Sequence, residues 1–369
     1  MNLNEKQSGW MSRRRFMRRA IGLVGALVVD PLRAVAFQRA SGPEYICAVD
    51  AGTHKIKAVI GYALNHDNWD IVGAGEADSA GIRVGELSIH NHRAYKDSIR
   101  KAVGRAARAA GRDVQSIYVS VMGLSTKTSA YQYDRRERWM KDLLTCVKMS
   151  GYRMAGFVDE TDALTWGTLI DAANEGAICL MDIGARKTLV VIVDGVLPIF
   201  SDYICVGGNN FTKDMSVWLR KPMWECEKLK IRGCGTLRDS DLRFDPQSGL
   251  LHSENPSPFA SIIYARLEEF VIIATNEIKK QFDATQYPRS VIITGGTAQI
   301  PGLTFMYERI ARKRDACLEY LTRRNRLSFN PVCRIGSPTG IRSKIGRIFS
   351  PDYVIACGTL RYAGRLRSN

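Results

Sequence analysis

Two short stretches of the chain carry an aspartate, a glycine and a lysine at the same spacing. They are Asp50, Gly52 and Lys55 in the first stretch, and Asp182, Gly184 and Lys187 in the second. A turn of small residues between two strands can surround a phosphate group with backbone N–H groups. A nearby aspartate can hold a hydrated Mg²⁺ ion. The repeat therefore predicts two similar half-folds that face each other across a phosphate-binding site.

Strands and helices alternate around both stretches, and this order predicts an α/β fold. Each stretch joins two apolar runs of strand length. After the first stretch, helical periodicity predicts three helices, over residues 95–110, 137–149 and 159–173. After the second, a strand over residues 196–206 leads to a helix that a glycine pair opens. The pattern then predicts a mostly helical region over residues 221–285 and a buried strand with a glycine turn over residues 291–302. Two helices follow, over residues 306–326 and 351–365.

The composition limits the class of protein. The chain has 369 residues, which suits two domains, and a hydrophobic content of 45%, which is ordinary for a globular protein. Its net charge of +16 favours an anionic partner. We expect no nucleic-acid partner, because the sequence has neither zinc-finger spacing nor a mixed basic and aromatic run. Nine cysteines without a Cys-x-x-Cys pair favour reduced thiols in a cytosolic protein.

Several blocks of the sequence, taken in order, resemble the FtsA family of bacterial cell-division proteins, within the actin-like ATPase superfamily. The blocks are residues 49–55, 72–83, 182–188, 293–303, 334–340 and 357–360. The resemblance implies an α/β, actin-like (ribonuclease H-like) duplicated fold with two lobes around a nucleotide cleft. It also implies ATP and Mg²⁺ as cofactors, and self-association into protofilaments.

The resemblance assigns a role to each residue of the predicted site. Asp50 and Asp182 would flank Mg²⁺ through water molecules. The phosphates would lie between two turns, one formed by Gly52, Thr53, His54 and Lys55, the other by Gly184, Arg186, Lys187 and Thr188. The rest of the nucleotide would contact Gly207 and Gly208, the adenosine pair Glu227 and Lys230, and the turn of Gly295, Gly296 and Thr297.

Two of these assignments leave an alternative open. Glu160 lies where related proteins carry a carboxylate that orients the attacking water, which makes it the predicted catalytic residue. A carboxylate at this position can equally stabilise the start of a helix. Glu227 and Lys230 are three residues apart, so they can instead form an ion pair on a helix surface.

The second turn departs from the family pattern. Where the family usually has Gly-Gly-Gly-Thr-Thr-Asp, residues 184–189 are Gly-Ala-Arg-Lys-Thr-Leu. The loss of two glycines restricts the approach of the backbone to phosphate, whereas Arg186 and Lys187 can bind phosphate through their side chains. Phosphoryl transfer depends on positioning. We therefore expect ATP binding with hydrolysis that is weak or absent, so that the protein is at most a weak ATPase.

The resemblance also implies the domain organisation. The family subdomain called 1C has no room here, because residues 126–136 alone join a strand to the next helix. The expected parts are an N-terminal segment (1–40), a first domain 1A (41–176, rejoined by a C-terminal helix, 351–366), a second domain 2A (177–210 and 286–350), and an inserted helical subdomain 2B (211–285).

The N-terminal segment has five arginines within residues 13–19, followed by an apolar run over residues 20–29 that is too short to span a bilayer. We expect residues 10–37 to hold the protein on an anionic membrane surface, at the cytoplasmic face of the inner membrane. Twin-arginine export to the periplasm, with cleavage after residues 34–36, is one alternative. A mis-assigned start codon is another. Residues 361–369 are too few for the C-terminal anchor of the family.

The predicted function is that of an FtsA-like adaptor. It would bind ATP, polymerise, and link the FtsZ ring to the membrane, with the C-terminal tail of FtsZ docked on residues 211–285. One alternative is an actin-fold small-molecule kinase, although no sequence block would place an aspartate base beside a sugar hydroxyl. Another is an exported actin-fold protein that has lost ATP chemistry.

Overall fold

The computed structural model describes residues 43–82, 88–122, 130–168, 176–234, 242–244, 251–253, 258–279, 288, 290–311 and 332–368. The chain divides into two units, Met1–Pro43 and Glu44–Asn369, and the described strands and helices all lie in the second. The predicted anchor segment, residues 10–37, lies outside the described residues. So do residues 126–129 of the predicted linker, residues 169–173 and 312–326 of two predicted helices, and residues 280–285 of the predicted helical region.

The first half of this unit alternates strands and helices as expected. Its strands are β1 (Ile46–Ala51), β2 (Lys55–Ala63), β3 (Trp69–Asp78), β4 (Ser116–Val121) and β5 (Arg153–Asp159). Its helices are α1 (His92–Ala110), α2 (Ala130–Met149) and α3 (Glu160–Thr168). Helix α1 begins three residues before the expected position because the Asn91 side chain accepts a hydrogen bond from the Ala94 N–H and caps the helix.

The second half repeats this order with a helical insertion. Its strands are β6 (Ala177–Ile183), β7 (Thr188–Asp194), β8 (Leu197–Ile204), β9 (Leu242–Phe244), β10 (Leu251–Ser253), β11 (Ser290–Thr294), β12 (Val332–Ile335) and β13 (Ile341–Ser343). Its helices are α4 (Gly208–Leu219), α5 (Met223–Cys234), α6 (Pro258–Lys279), a helical segment over residues 303–311, and α7 (Val354–Ser368). The described helices include none long and apolar enough to cross a membrane.

The two main sheets have the same topology. One has the strand order β13-β3-β2-β1-β4-β5, and the other has the order β12-β11-β6-β7-β8. In both, three consecutive strands pair antiparallel, and the first of them then pairs parallel with a later strand. The internal repeat seen in the sequence is therefore a repeat of the fold, and β1 and β6 occupy equivalent central positions.

Helices α3 and α7 lie in a core that includes residues of both sheets. This core contains Ala48 of β1, Leu164 of α3, Leu180 of β6 and Leu360 of α7. The two helices approach so closely that a Cβ on Gly358 would overlap the backbone of Ala163. Because one core joins both sheets, the turns that follow β1 and β6 are held in a fixed relation.

One pairing differs from the predicted division into domains. Residues 286–350 were expected to lie wholly in the second lobe. Strand β13, within that range, pairs in parallel with β3 and extends the first sheet. Arg342 of β13 also forms an ion pair with Asp70 of β3 across this edge.

Candidate functional site

The two repeated aspartates occupy equivalent places in the two sheets. Asp50 is the second-last residue of β1, and Asp182 is the second-last residue of β6. Each strand is followed by the glycine-containing turn that leads into its antiparallel partner. The spacing in the sequence therefore places each carboxylate beside its turn.

The first turn is braced by the end of β3. The Ser79 hydroxyl donates to the Gly52 carbonyl oxygen at 2.6 Å, and the Ser79 N–H donates to the His54 carbonyl oxygen at 2.9 Å. A Cβ on Gly52 would overlap the Lys55 carbonyl oxygen, so the turn requires glycine there. The Lys55 ammonium lies 2.8 Å from Glu76, so this lysine is held in an ion pair beside the turn.

Asp50 and Asp182 are partly buried carboxylates, and both have raised pKa values. Burial raises the pKa of Asp50 to about 7, and the charges of Glu160 and Asp182 also raise it. Burial raises the pKa of Asp182 to about 6, again with a contribution from Glu160. The Ser120 hydroxyl donates to Asp50 at 3.3 Å, and the Thr294 hydroxyl donates to Asp182 at 3.0 Å. The structure thus brings the three carboxylates of the prediction into one electrostatic site.

This donor set suits a hydrated cation. A bound cation lowers the cost of ionising a buried carboxylate, and Mg²⁺ keeps several of its water ligands in proteins. In the described part of the chain, no three His, Cys, Asp or Glu side chains form a group that could hold a metal ion directly. That Asp50 and Asp182 contact a Mg²⁺ ion through water stays a prediction.

Lys57 is a buried cation of this site that the sequence analysis missed. It lies opposite Asp50 in the register of β1 and β2, and it lowers the pKa of both Asp50 and Asp182. Its ammonium donates to the Asp352 carbonyl oxygen at 2.7 Å and lies 3.2 Å from the Asp352 carboxylate. A lysine inside an otherwise apolar strand was the signal that could have revealed it.

The second turn packs against the start of α4. The Gly208 N–H donates to the Gly184 carbonyl oxygen at 2.9 Å, and the Asn209 N–H donates to the Ala185 carbonyl oxygen at 2.7 Å. A Cβ on Gly207 would lie 2.6 Å from the Gly184 oxygen. The glycine pair is therefore required by the close contact between turn and helix, and two N–H groups of α4 are used in that contact.

The two cations of the second turn have different surroundings. Lys187 lies 2.8 Å from the Glu160 carboxylate, and its ammonium sits 3.9 Å from the centre of the Tyr203 ring. The Tyr203 hydroxyl also donates to Glu160, at 3.0 Å. Arg186 is partly buried, and burial lowers its pKa. Lys187 and Tyr203 thus hold the carboxylate that was predicted to orient water.

Glu160 is the first residue of α3, so its charge lies at the start of the helix as the alternative expected, but the capping hydrogen bond belongs to another residue. The N–H of Thr161 in the first turn of α3 donates to Asp159 at 2.8 Å, so Asp159 caps this helix. The remaining residue of the second turn, Thr188, is buried, and its hydroxyl donates to the Val206 carbonyl oxygen at 2.8 Å.

Glu227 and Lys230 form part of a buried network at the start of α4. The Lys230 ammonium donates to Glu227 at 2.7 Å, to the Thr212 hydroxyl at 2.9 Å and to the Gly208 carbonyl oxygen at 3.0 Å. The charge of Lys230 lowers the pKa of Glu227 in spite of burial, which alone would raise it. His54 of the first turn lies 3.9 Å from Glu227, so the pair faces the cleft rather than the outer surface.

The glycine turn after β11 completes the site. Gly295 has a φ of 91°, and a Cβ on it would lie 2.5 Å from the Ile183 carbonyl oxygen, so the fold itself requires glycine. The Thr297 hydroxyl donates to the Gly184 carbonyl oxygen at 3.3 Å. A Cβ on Gly296, by contrast, would meet no heavy atom within 4 Å. This turn therefore contacts the second turn directly, with open space at Gly296.

Comparison with known proteins identifies the family that the chain resembles. The model of the family "Cell division protein FtsA" matches residues 179–358. FtsA of Neisseria meningitidis serogroup B is 22% identical, with 88% of this chain and 91% of the relative covered. FtsA of Bacillus subtilis is 21% identical, with 87% and 84% covered. The resemblance to FtsA is confirmed.

Solved structures show that this FtsA-like chain has the actin-like fold that was predicted. The PilM–PilN type IV pilus biogenesis complex matches with a TM-score of 0.62 and 11% identity, and 86% of this chain and 98% of that chain are covered. The ethanolamine utilization protein EutJ of Carboxydothermus hydrogenoformans matches with a TM-score of 0.59 and 16% identity, covering 95% and 100%. MreB5 of Spiroplasma citri bound to ADP matches with a TM-score of 0.55 and 12% identity, covering 88% and 98%.

Proposed function

We propose that the chain is an FtsA-like cell-division protein that binds ATP with Mg²⁺ between its two turns and links FtsZ to the membrane. The observation that carries the proposal is the convergence of Asp50, Asp182 and Glu160 on one partly compensated site. The similarity to FtsA over most of the chain supports the role in cell division.

Different residues of the cleft would bind different parts of the nucleotide. Mg²⁺, when bound, would neutralise phosphate charge, and Asp50 and Asp182 would hold its water ligands. The braced turn at Gly52 would present backbone N–H groups to the phosphates. The open space at Gly296 would admit the adenosine part, beside Glu227 and Lys230. Titration of the protein with ATP, with and without Mg²⁺, tests this assignment.

Hydrolysis is proposed to be weak because Glu160 already has two partners. A carboxylate that orients water must accept a hydrogen bond from that water, and one oxygen of Glu160 already accepts from both Lys187 and Tyr203. The Lys187 ammonium also neutralises the negative charge that would polarise the water. The two missing glycines of the second turn add to this effect.

The proposed link to FtsZ would use the helical region 211–285, in which basic residues attract an acidic tail. The candidate cations are Arg220, Lys221, Lys228, Lys230 and Arg232, which differ in their surroundings. Lys230 is buried against Glu227, and Lys221 pairs with Glu225. Arg220, Lys228 and Arg232 are exposed. Binding of an FtsZ tail peptide should therefore weaken as salt rises, and an affinity that salt leaves unchanged would contradict an electrostatic dock.

The proposed membrane attachment uses residues 10–37. Each cation near an anionic surface contributes about 1 kcal/mol, so five arginines would suffice for reversible attachment. Deletion of residues 1–40 should move the protein from the membrane fraction to the soluble fraction. Recovery of a mature periplasmic form that starts near Phe37 would contradict the proposal and support export. Self-association, also proposed, is tested by pelleting with ATP and Mg²⁺.

A further inference from the structure

The turn between α4 and α5 forms a protruding apolar corner. Of the eight residues from 217 to 224, all except Leu219 are exposed. The exposed fraction is 61% for Trp218 and 63% for Trp224, and Val217 and Met223 are exposed beside them. We call residues 217–224 the tryptophan corner. Apolar side chains grouped in this way on a surface mark an interaction site more often than a scattered apolar residue does.

These side chains are exposed because each helix already buries a different face. Helix α4 packs Phe211 and Met215 into the core of the second lobe, and α5 packs Cys226 into the same core. Leu219 packs against this core, whereas Val217, Trp218, Met223 and Trp224 lie outside it and stay exposed among the described residues. Their exposure therefore calls for a partner outside the described part of the chain.

The backbone holds the corner in a defined shape. Arg220 is the one described non-glycine residue with a positive φ, 51°. The N–H groups of Arg220 and Lys221 both donate to the Ser216 carbonyl oxygen, and the Ser216 hydroxyl donates to the Lys221 carbonyl oxygen at 2.6 Å. Hydrogen bonds thus hold the backbone of the turn between the two tryptophans.

The charges around the corner are cationic. The nearby carboxylates are all engaged: Asp214 with Arg266, Glu225 with Lys221, and Glu227 with Lys230. Lys228 lies 4.8 Å above the ring of Trp224. Within the described residues, Arg220 and Lys228 form no ion pair, so both keep their charge available for an anionic partner.

We propose that the tryptophan corner inserts into the headgroup region of an anionic lipid bilayer, as a contact separate from the N-terminal segment. Tryptophan side chains favour the boundary between headgroups and acyl chains, and adjacent cations add electrostatic attraction to anionic lipid. The corner offers exposed aromatic rings and cations side by side, which is the combination that this boundary favours.

The test uses the full chain with Trp10→Phe as background, so that the N-terminal segment stays in place without its own tryptophan signal. Vesicles of equal parts phosphatidylglycerol and phosphatidylcholine are prepared with brominated acyl chains, which quench tryptophan fluorescence on contact. We expect strong quenching in the background protein. In the Trp218→Ser/Trp224→Ser variant we expect most of the quenching to be lost and vesicle affinity to fall at least about tenfold.

Arg220→Gln and Lys228→Gln should each weaken vesicle binding about fivefold. Leu197→Ser is the matched control, because Leu197 is also an exposed apolar residue, at 67%. It follows the acidic Asp194 in the sequence, so we expect this variant to bind vesicles like the background protein. Unfolding midpoints of all variants establish that they fold. Equal quenching with and without the two tryptophans would overturn the proposal. So would a vesicle affinity that the Trp218→Ser/Trp224→Ser substitutions leave unchanged. Neither result bears on ATP binding in the cleft.

Discussion

Replacing Lys187 with methionine removes the cation that holds Glu160 but keeps most of the length of the side chain. The two charged groups lie 2.8 Å apart, and their side chains are 25% and 22% exposed. At an effective dielectric constant of about 20, two unit charges at this distance attract by about 6 kcal/mol, which is an upper bound. Net contributions of hydrogen bonds between charged groups are about 1.5–3 kcal/mol. Because water screens partly exposed charges, we expect Lys187→Met to lower the unfolding free energy by about 1–3 kcal/mol.

Urea unfolding at neutral pH, without nucleotide, measures this change. Lys141→Met is the matched control: Lys141 is 76% exposed and pairs with Glu137 at 3.5 Å on the surface of α2. Its loss should change the unfolding free energy by no more than about 0.5 kcal/mol. Adding Glu160→Gln to Lys187→Met should recover part of the loss, because no charge is then left without its partner. A Lys187→Met variant as stable as the control would refute the reasoning.

The ion pair between Lys187 and Glu160 also leads to a prediction for ATP turnover. The triple variant Ala185→Gly/Arg186→Gly/Lys187→Thr restores the glycines of the family turn and frees Glu160, so its turnover should exceed that of the wild type. Leu189 is left in place because it is buried in the core that joins the sheets, where an aspartate would be strongly unfavourable. A wild-type rate of about 1–10 per second would show that the turn does not restrain hydrolysis.

Three further predictions concern stability and pH. Burial raises the pKa of Asp162 to about 6, so the folded state binds this proton more tightly than the unfolded state does. The unfolding free energy should therefore fall by about 2 kcal/mol as the pH rises from about 4 to about 6. Asp162→Asn should flatten that slope in urea midpoints, and an unchanged slope would contradict the assignment. Gly358→Ala should cost about 1–3 kcal/mol in unfolding free energy because the new methyl group overlaps Ala163, whereas Gly346→Ala, with open space around it, should not. Gly296→Ala should leave the melting temperature unchanged but weaken ATP binding. A lower melting temperature with unchanged ATP affinity would assign this glycine to the fold alone.

The sequence predicts local features well where a short pattern determines them. The two strand–turn–strand units were visible because each combines apolar runs with a small-residue turn. The glycine turn after β11 was visible for the same reason. The carboxylates Asp50 and Asp182 could be paired from their equal spacing alone, and the common topology of the sheets confirms that the two units are copies of one fold.

The sequence pattern could not predict contacts between residues that are far apart in the chain. Lys57 is held by Asp352, 295 residues away, so nothing near Lys57 marked it as a cation of the site. The pairing of β13 with β3 likewise joins residues 272 apart, such as Ser343 and Ile71. Periodicity reports the face on which a residue lies, but it does not report which element covers that face.

Two further alternatives could be decided only from contacts in three dimensions. Glu227 and Lys230 have the spacing of a surface ion pair, and only the packing of α5 against α4 shows that Lys230 is buried. Lys187 was expected to bind phosphate, but Glu160 lies close enough in space to compete for it. In both cases the fold determined the partner of the residue.

The affinity for ATP with and without Mg²⁺, measured by calorimetry on the wild type and on Asp50→Ala, tests the central claim most directly. Asp194→Asn is the control, because Asp194 is exposed at the far end of β7, about 20 Å along the strand from the second turn. We predict that Mg²⁺ strengthens ATP binding by the wild type and by the control but has little effect on Asp50→Ala. Absence of binding at millimolar ATP, or an equal effect of Mg²⁺ on Asp50→Ala, would contradict a nucleotide site between the two turns.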